Sequence, residues 1–151
     1  MLPRAHIILG FFFAAAALYF FPQIGFLGAG LIWAGSFLID ADHYLWYVIE
    51  ERDLSLKKAY KWHLMKREKM RKLSKKERRK HKNEILIFHG FESVLAAYLL
   101  SFLWQPFIYL AIGFIIHLSL DYYEEIAYQH RLDKLSVIWD TIKYHKLKKL
   151  K

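Results

Sequence analysis

Ionisable side chains stand at one end of each of four apolar segments, where an apolar environment disfavours them most. A charged residue near the middle of a membrane span costs roughly 2.5 to 3.5 kcal/mol on insertion scales. Eight such residues in apolar segments need a common reason, and a shared metal site would supply one. The eight are His6, Asp40, Asp42, His43, His89, Glu92, His117 and Asp121.

Charge is segregated along the 151 residues. Hydrophobic residues make up 56% of the chain, yet it carries 23 lysines and arginines. Fifteen of the 23 lie between Arg52 and Lys82, and seven of the other eight lie from Arg131 to Lys151. What remains is close to pure membrane sequence. The absence of cysteine excludes thiolate zinc sites and disulfides, which leaves His, Asp and Glu as the strong metal ligands.

This pattern predicts an all-α protein, an integral membrane four-helix bundle that forms one domain over residues 1–151. A basic helical insertion over 51–83 separates the second and third spans, and an amphipathic tail covers 123–151. Small residues on the second span permit close approach of another helix, within the bundle or in a homodimer. The spans are expected near residues 2–21, 24–40, 85–104 and 106–122.

Positive charge fixes the expected orientation, because basic residues near span ends are retained in the cytoplasm. The insertion, the tail and Arg4 then lie inside together with both termini, while the turns at Pro22 and Pro106 lie outside. We therefore expect a multi-pass protein of the inner or plasma membrane. All four ionisable clusters fall on its cytoplasmic side as a consequence.

The spacing of the ionisable residues favours a metal site. His117 and Asp121 are four residues apart and share one helix face, and Asp40 and His43 are three apart at the end of the second span. Imidazole plus carboxylate suits zinc, manganese or iron better than magnesium or calcium. The candidate ligands exceed what one ion takes, so we expect one or two ions, with zinc as the first choice.

Plainer explanations exist for the single residues. His6 alone is typical of an interfacial anchor, Glu92 of a proton relay or an interhelical hydrogen bond, and His117 with Asp121 of an ion pair on a helix. The joint occurrence of the clusters on one side favours the metal. The histidines interpreted as solvated are His63, His81, His130 and His145.

The ordered motifs resemble a family of membrane-bound, metal-dependent hydrolases described as LexA-binding and inner-membrane-associated. Its members have an early His, an Asp-x-Asp-His ending the second apolar segment, a His motif opening the next and a late His-x-x-x-Asp. The outline is also similar, more distantly, to zinc-dependent phospholipase C. The chain departs at the third motif, where many members have His-Arg-Gly-x-Thr-His-Ser and this sequence has Ile-Phe-His-Gly-Phe-Glu-Ser over 87–93.

We therefore expect a hydrolase that cleaves a phosphoester at the cytoplasmic membrane face with a metal-activated water. Asp40 would ligate the metal or orient a ligand, and Glu92 would handle the proton, because apolar surroundings raise the pKa of a carboxyl group. These two residues are the predicted catalytic pair. The predicted metal ligands are His6, Asp40, Asp42, His43, His89, His117 and Asp121.

The expected partner is an anionic or phosphorylated membrane lipid, because the site lies at headgroup depth beside basic segments. The insertion lacks aromatic interleaving beyond Tyr60 and Trp62, which argues against nucleic acid. Two other functions stay open. A metal or proton transporter would need polar residues through the outer half of the bundle, and a non-enzymatic adaptor or lipid-binding protein would leave the carboxylates in the spans unexplained.

Overall fold

The computed structural model describes residues 3–78, 80–81, 84–129 and 134–147, and this part of the chain is all-helical. A 3-10 turn, Pro22–Ile24, joins the first two helices, and a π-helical turn, Glu125–Gln129, follows the seventh. Parts of the predicted insertion (79, 82 and 83) and tail (130–133 and 148–151) lie outside the described residues. The helices are α1 Pro3–Phe20, α2 Gly25–Leu38, α3 Ala41–Glu51, α4 Leu56–Lys72, α5 Lys75–Arg78, α6 Phe91–Leu100, α7 Phe107–Glu124 and α8 Val137–Lys146.

Helix α2 is the centre of the packing, with α1 and α7 against it and α6 against α7. Helices α2 and α7 touch backbone to backbone. A Cβ added to Gly113 would lie 2.4 Å from the carbonyl oxygen of Ile32 and 2.8 Å from Cα of Gly35. A Cβ added to Gly35 would lie 2.8 Å from the carbonyl oxygen of Leu110. The small residues of α2 thus permit close packing inside the chain, and the homodimer stays a prediction.

Within the described residues, two helical segments are long and apolar enough to cross a membrane, Pro3–Phe20 with a mean hydropathy of 1.4 and Pro22–Glu51 with 1.6. The predicted third span is shorter than expected: α6 has 10 residues, Phe91–Leu100, rather than 85–104. Residues 84–90 leave the helix because their polar groups bind side chains instead; Phe88 N–H, for example, donates to Asp42 Oδ2 at 2.9 Å. After α6, turns lead to Pro106, which disfavours helix in the residue before it.

Several polar side chains are fully buried, whereas large apolar side chains on α1 and α2 are exposed. His6, Ser36 and His117 are fully buried at 0% exposure, whereas Phe12 on α1 is 65% exposed and Phe26 on α2 is 87% exposed. Large contiguous apolar surfaces of this kind mark membrane or protein contact sites. The buried polar groups in turn require partners inside the bundle.

The basic helix α4, part of the insertion predicted over 51–83, is fixed to the bundle by charged contacts. Arg67 and Arg71 both form ion pairs with Glu124 at the end of α7, and the Glu124 side chain is only 6% exposed. Trp62 Nε1 donates to Glu51 Oε1 on α3 at 2.7 Å. The basic insertion therefore lies against the end of the bundle where the ionisable clusters gather.

We expect Gly113→Ala to destabilise the protein, because the added methyl group meets backbone atoms of α2 that cannot move aside. Overpacking of this kind typically costs ~1–3 kcal/mol. Gly30→Ala is the matched control, since nothing lies within 4 Å of a Cβ at that position, and helix propensity alone favours alanine by up to about 1 kcal/mol. Thermal unfolding in detergent should show a lower Tm for Gly113→Ala and an unchanged or higher Tm for Gly30→Ala. Equal Tm values would contradict the backbone contact.

Candidate metal centre

Donor atoms of four residues converge at one end of the bundle, three of them buried and Asp40 10% exposed, and we call Asp40, His89, His117 and Asp121 the central cluster. His89 Nε2 lies 3.2 Å from His117 Nε2. Asp40 Oδ1 lies 3.7 Å from each of these nitrogens. Asp121 Oδ2 lies 3.6 Å from the His89 nitrogen and 3.8 Å from that of His117. The four residues come from the α2–α3 junction, the segment before α6 and α7.

These five separations are close to those between ligands of a tetrahedral metal ion, and His89, His117 and Asp121 form a group whose donor atoms all lie within 4.8 Å of one another. Zinc binds histidine nitrogen and carboxylate oxygen at about 2.0 to 2.1 Å, which places tetrahedral ligands about 3.3 to 3.4 Å apart. The distances between the donors, 3.2 to 3.8 Å, lie around that value. The central cluster could therefore hold a metal ion after shifts of a few tenths of an ångström.

When both rings are neutral, hydrogen bonds behind the two histidines leave both Nε2 atoms as acceptors. His117 Nδ1 donates to the carbonyl oxygen of Ser36 at 2.8 Å, because a carbonyl oxygen can only accept. His89 Nδ1 donates to the Asp42 carboxylate, with Oδ2 at 3.1 Å. In the neutral rings, two lone pairs then face each other across 3.2 Å, an arrangement that a cation between them would stabilise.

Asp42 therefore contacts a ligand of the central cluster and does not contribute a donor atom to it, although the sequence predicted Asp42 as a metal ligand. Its carboxylate binds both His89 Nδ1 and the backbone N–H of Phe88, so it orients the histidine. Asp40, predicted as either a ligand or an orienting group, is the member of the pair that faces the two Nε2 atoms. Carboxylate–histidine pairs behind a metal are a recurring way to fix the ring and raise its basicity.

His6 packs on this cluster from α1. Its ring stacks on His117 with centroids 3.9 Å apart, and its Nε2 lies 3.1 Å from Asp121 Oδ1. Among the described residues, His6 Nδ1 and Asp40 Oδ2 are buried without a hydrogen-bond partner. Unpartnered buried polar atoms are costly, so the donor set fits a cation better than it fits a closed hydrogen-bond network.

Lys134, which the sequence interpretation passed over, reaches the cluster from the segment before α8. Its Nζ donates to Asp121 Oδ2 at 2.9 Å, and its side chain is 15% exposed. Burial alone would lower the pKa of Lys134, but the carboxylates of Asp121 and Glu125 outweigh burial and raise it above the ordinary value. The backbone has φ of 62°, a left-handed conformation that residues other than glycine rarely adopt. The fold thus holds a charged ammonium group at the rim of the cluster.

A second set of groups, the outer cluster of His43, His63 and Glu84, lies beside the central one. The His43 ring is 4.8 Å from that of His89, centroid to centroid, yet its Nδ1 binds Glu84 Oε2 at 2.8 Å. His63 was interpreted as solvated, but its Nδ1 lies 3.3 Å from Glu84 Oε1. Burial would raise the pKa of Glu84, whereas hydrogen bonds from His43 and His63 hold it well below its usual range.

Glu92 is not brought to the central cluster. It lies in the first turn of α6, where Ser136 Oγ donates to its Oε1 at 2.5 Å and Val137 N–H donates to its Oε2 at 3.2 Å. These donors stabilise a carboxylate, in contrast to the apolar surroundings that the sequence suggested. In this arrangement Glu92 anchors the start of α8, and its role in proton transfer stays a prediction.

Comparison of the chain with protein-family models, with curated proteins and with solved structures gave no match in any of the three. The resemblance to membrane-bound hydrolases therefore stays a prediction from the motifs alone.

We expect His117→Ala to lose metal that the parent chain binds, because it removes one donor of the central cluster together with the Ser36 bond that orients it. His145→Ala is the matched control, since His145 is an exposed histidine on α8. Metal content per chain, measured by mass spectrometry on detergent-purified protein, should fall in His117→Ala by at least one ion and stay at the parent value in His145→Ala. Equal metal in all three proteins would exclude the central cluster as the site.

Proposed function

We propose that the chain is a membrane-embedded, metal-dependent hydrolase that cleaves a phosphoester, in a lipid-linked substrate, with zinc at the central cluster. The observation that carries the proposal is the convergence of two imidazole nitrogens and two carboxylate oxygens, with five of their six separations between 3.2 and 3.8 Å, beside a half-buried lysine. Zinc bound there would lower the pKa of a coordinated water and polarise a phosphoryl oxygen. Manganese and iron accept the same ligand types.

The chain's own residues supply position and charge. His89, His117 and Asp121, whose donor atoms lie close enough together to share an ion, would hold it and leave the fourth position for a water beside Asp40, with Asp42 and the Ser36 carbonyl fixing the two rings. Lys134 stands where it could bind a phosphoryl oxygen next to the ion, since its ammonium group already contacts an Asp121 oxygen of the donor set. A cation fixed at the site of developing negative charge acts mainly on the transition state. Phosphoesters are the substrates for which this combination of metal and lysine is most useful.

We further propose that the bundle spans the inner or plasma membrane four times, with both termini and the central cluster on the cytoplasmic side. The two long apolar segments and the outward-facing aromatic side chains of α1 and α2 support this. Helix α7, with 18 residues, and α6 together with the turns after it would make the other two crossings. The basic α4 at the cluster end agrees with the cytoplasmic assignment and with attraction to anionic lipid.

Single introduced cysteines test this topology without background labelling, because the chain itself has no cysteine. We expect Gln23→Cys and Gln105→Cys, both at exposed turns, to react with an impermeant maleimide in intact cells. Lys57→Cys, exposed on α4, should react only after permeabilisation. The cysteine-free parent is the control. Labelling of Gln105→Cys from the cytoplasmic side alone would contradict the third and fourth crossings.

Hydrolysis is tested with p-nitrophenyl phosphate and with phosphatidic acid in phosphatidylcholine vesicles. We expect phosphate release that a chelator abolishes and added zinc restores. Asp40→Asn should abolish it, because the carboxylate beside the water position is lost. Lys134→Gln should lower kcat/KM by roughly 10²-fold with metal content retained, since a charge at the transition state is removed.

Lys146→Gln is the matched control for Lys134, because Lys146 is exposed on α8 and away from the donor set. Its rate should equal that of the parent. Zinc bound at full occupancy without hydrolysis of either substrate would instead favour the adaptor, whose exposed basic helix α4 suits contact with an anionic surface.

A further inference from the structure

We propose that the outer cluster of His43, His63 and Glu84 is a separate binding site for a divalent transition metal such as zinc, which fastens the basic helix α4 to the bundle. The three residues come from different parts of the chain: His43 from α3, His63 from α4 and Glu84 from the segment before α6. Each offers one donor atom, and the three atoms lie within 4.8 Å of one another. Two histidines and a glutamate are a known protein ligand set for zinc with one position left for water.

The hydrogen bonding of His63 indicates a cation at this place. His63 Nε2 lies 3.0 Å from the carbonyl oxygen of His43, so Nε2 carries a proton and donates it. In the neutral ring, Nδ1 then holds a lone pair, and this lone pair faces Glu84 Oε1 at 3.3 Å. Two acceptors at that distance repel each other unless a positive charge lies between them. A proton on Nδ1 supplies that charge in the hydrogen bond to Glu84 described above; a metal ion would supply it in place of the proton, and 3.3 Å is the spacing expected for two of its ligands.

His43 completes the set through its Nδ1. That nitrogen is 2.8 Å from Glu84 Oε2, the distance of a hydrogen bond, so an ion would replace the proton shared there and move the two atoms apart by about half an ångström. The ring's other nitrogen, Nε2, is 3.9 Å from Asp40 Oδ1 and would keep its proton directed at that carboxylate. One neutral imidazole offers one lone pair, which assigns His43 to the outer cluster when both clusters are filled.

The outer cluster is also exposed enough for a metal ion to enter it from solvent. The side chains of His43, His63 and Glu84 are 26%, 24% and 14% exposed, whereas His89 and His117 of the central cluster are at 1% and 0%. Lys66 Nζ lies 3.6 Å from Glu84 Oε1 and partly neutralises it. An incoming dication at closer range would outcompete that contact, because its charge is double. The site therefore differs from the central cluster in residues, in exposure and in the elements that it joins.

The consequence for the fold is a metal-dependent attachment of α4. An ion held by His43, His63 and Glu84 would connect α3, α4 and the segment before α6 at one point. With the ion removed, α4 keeps its arginine contacts to Glu124 but loses this connection. Its many lysines and arginines then become better substrates for trypsin.

The test counts metal per chain after equilibrium dialysis of the detergent-purified protein against zinc. We expect His63→Ala and Glu84→Gln each to hold one ion fewer than the parent, while His117→Ala keeps the outer ion and loses the central one. His145→Ala is again the control. Trypsin should cut the basic insertion severalfold faster in His63→Ala than in the parent, and chelation should bring the parent to the same rate.

A His63→Ala chain that retains the metal content of the parent would overturn the proposal, leaving a proton on His63 as the charge that pairs with Glu84. Glu84→Gln, which preserves shape, decides the question if His63→Ala fails to give a monodisperse protein. Neither the metal content nor the trypsin cleavage depends on hydrolysis, so both test the outer cluster independently of the proposed hydrolase activity. Loss of the central ion in His117→Ala without phosphate release by the parent would reject the proposed function and leave this inference intact.

Discussion

The contact on which the rest of the structure depends is the close approach of α2 and α7. Gly35 and Gly113 bring the two backbones together with no side chain between them. One residue later, the Ser36 carbonyl oxygen is in reach of His117 Nδ1, which fixes the ring and aims Nε2 at His89. Ser36 also occupies the place beside Gly10 on α1, so the same point sets the position of His6. A packing constraint between apolar helices therefore determines the geometry of the polar centre.

Polar groups in an apolar bundle are costly unless they satisfy one another, and this protein concentrates them at one end. Carboxylates and neutral imidazoles leave two pairs of acceptor atoms facing each other, the Nε2 atoms of His89 and His117 and the Nδ1 of His63 with Glu84, and a proton or a metal ion between the atoms of each pair removes the repulsion. Lys134, Lys66 and Arg67 supply part of the positive charge at the rim. The places that still lack positive charge are these two acceptor pairs. Their spacing also suits the ligands of a metal ion, so the charge balance and the geometry indicate the same two sites.

Much of the central cluster follows from the sequence, because helix periodicity places His117 and Asp121 together and charge segregation places all the clusters at one end. The ordering of Asp40 and Asp42 does not follow, since it depends on a turn between α2 and α3 that no spacing rule specifies. Glu92 was predicted to handle a proton because apolar surroundings were expected around it; instead it lies in the first turn of α6 and accepts hydrogen bonds from Ser136 and Val137. His63, Glu84 and Lys134 reach the site from connections, where sequence distance carries no information on spatial distance.

The segment 134–137, which we call the strap, lies across the end of the bundle that contains the central cluster. Phe91 N–H donates to the Leu135 carbonyl oxygen, and Glu92 receives hydrogen bonds from Ser136 and Val137. Gly90 leaves room for this crossing, because a Cβ there would lie 3.0 Å from the Val137 nitrogen. Every helix that contributes a donor to the central cluster leaves the ribosome before this strap does. This later segment of the chain thus fixes the position of Lys134, so the charge beside Asp121 is set only when this segment has docked on α6.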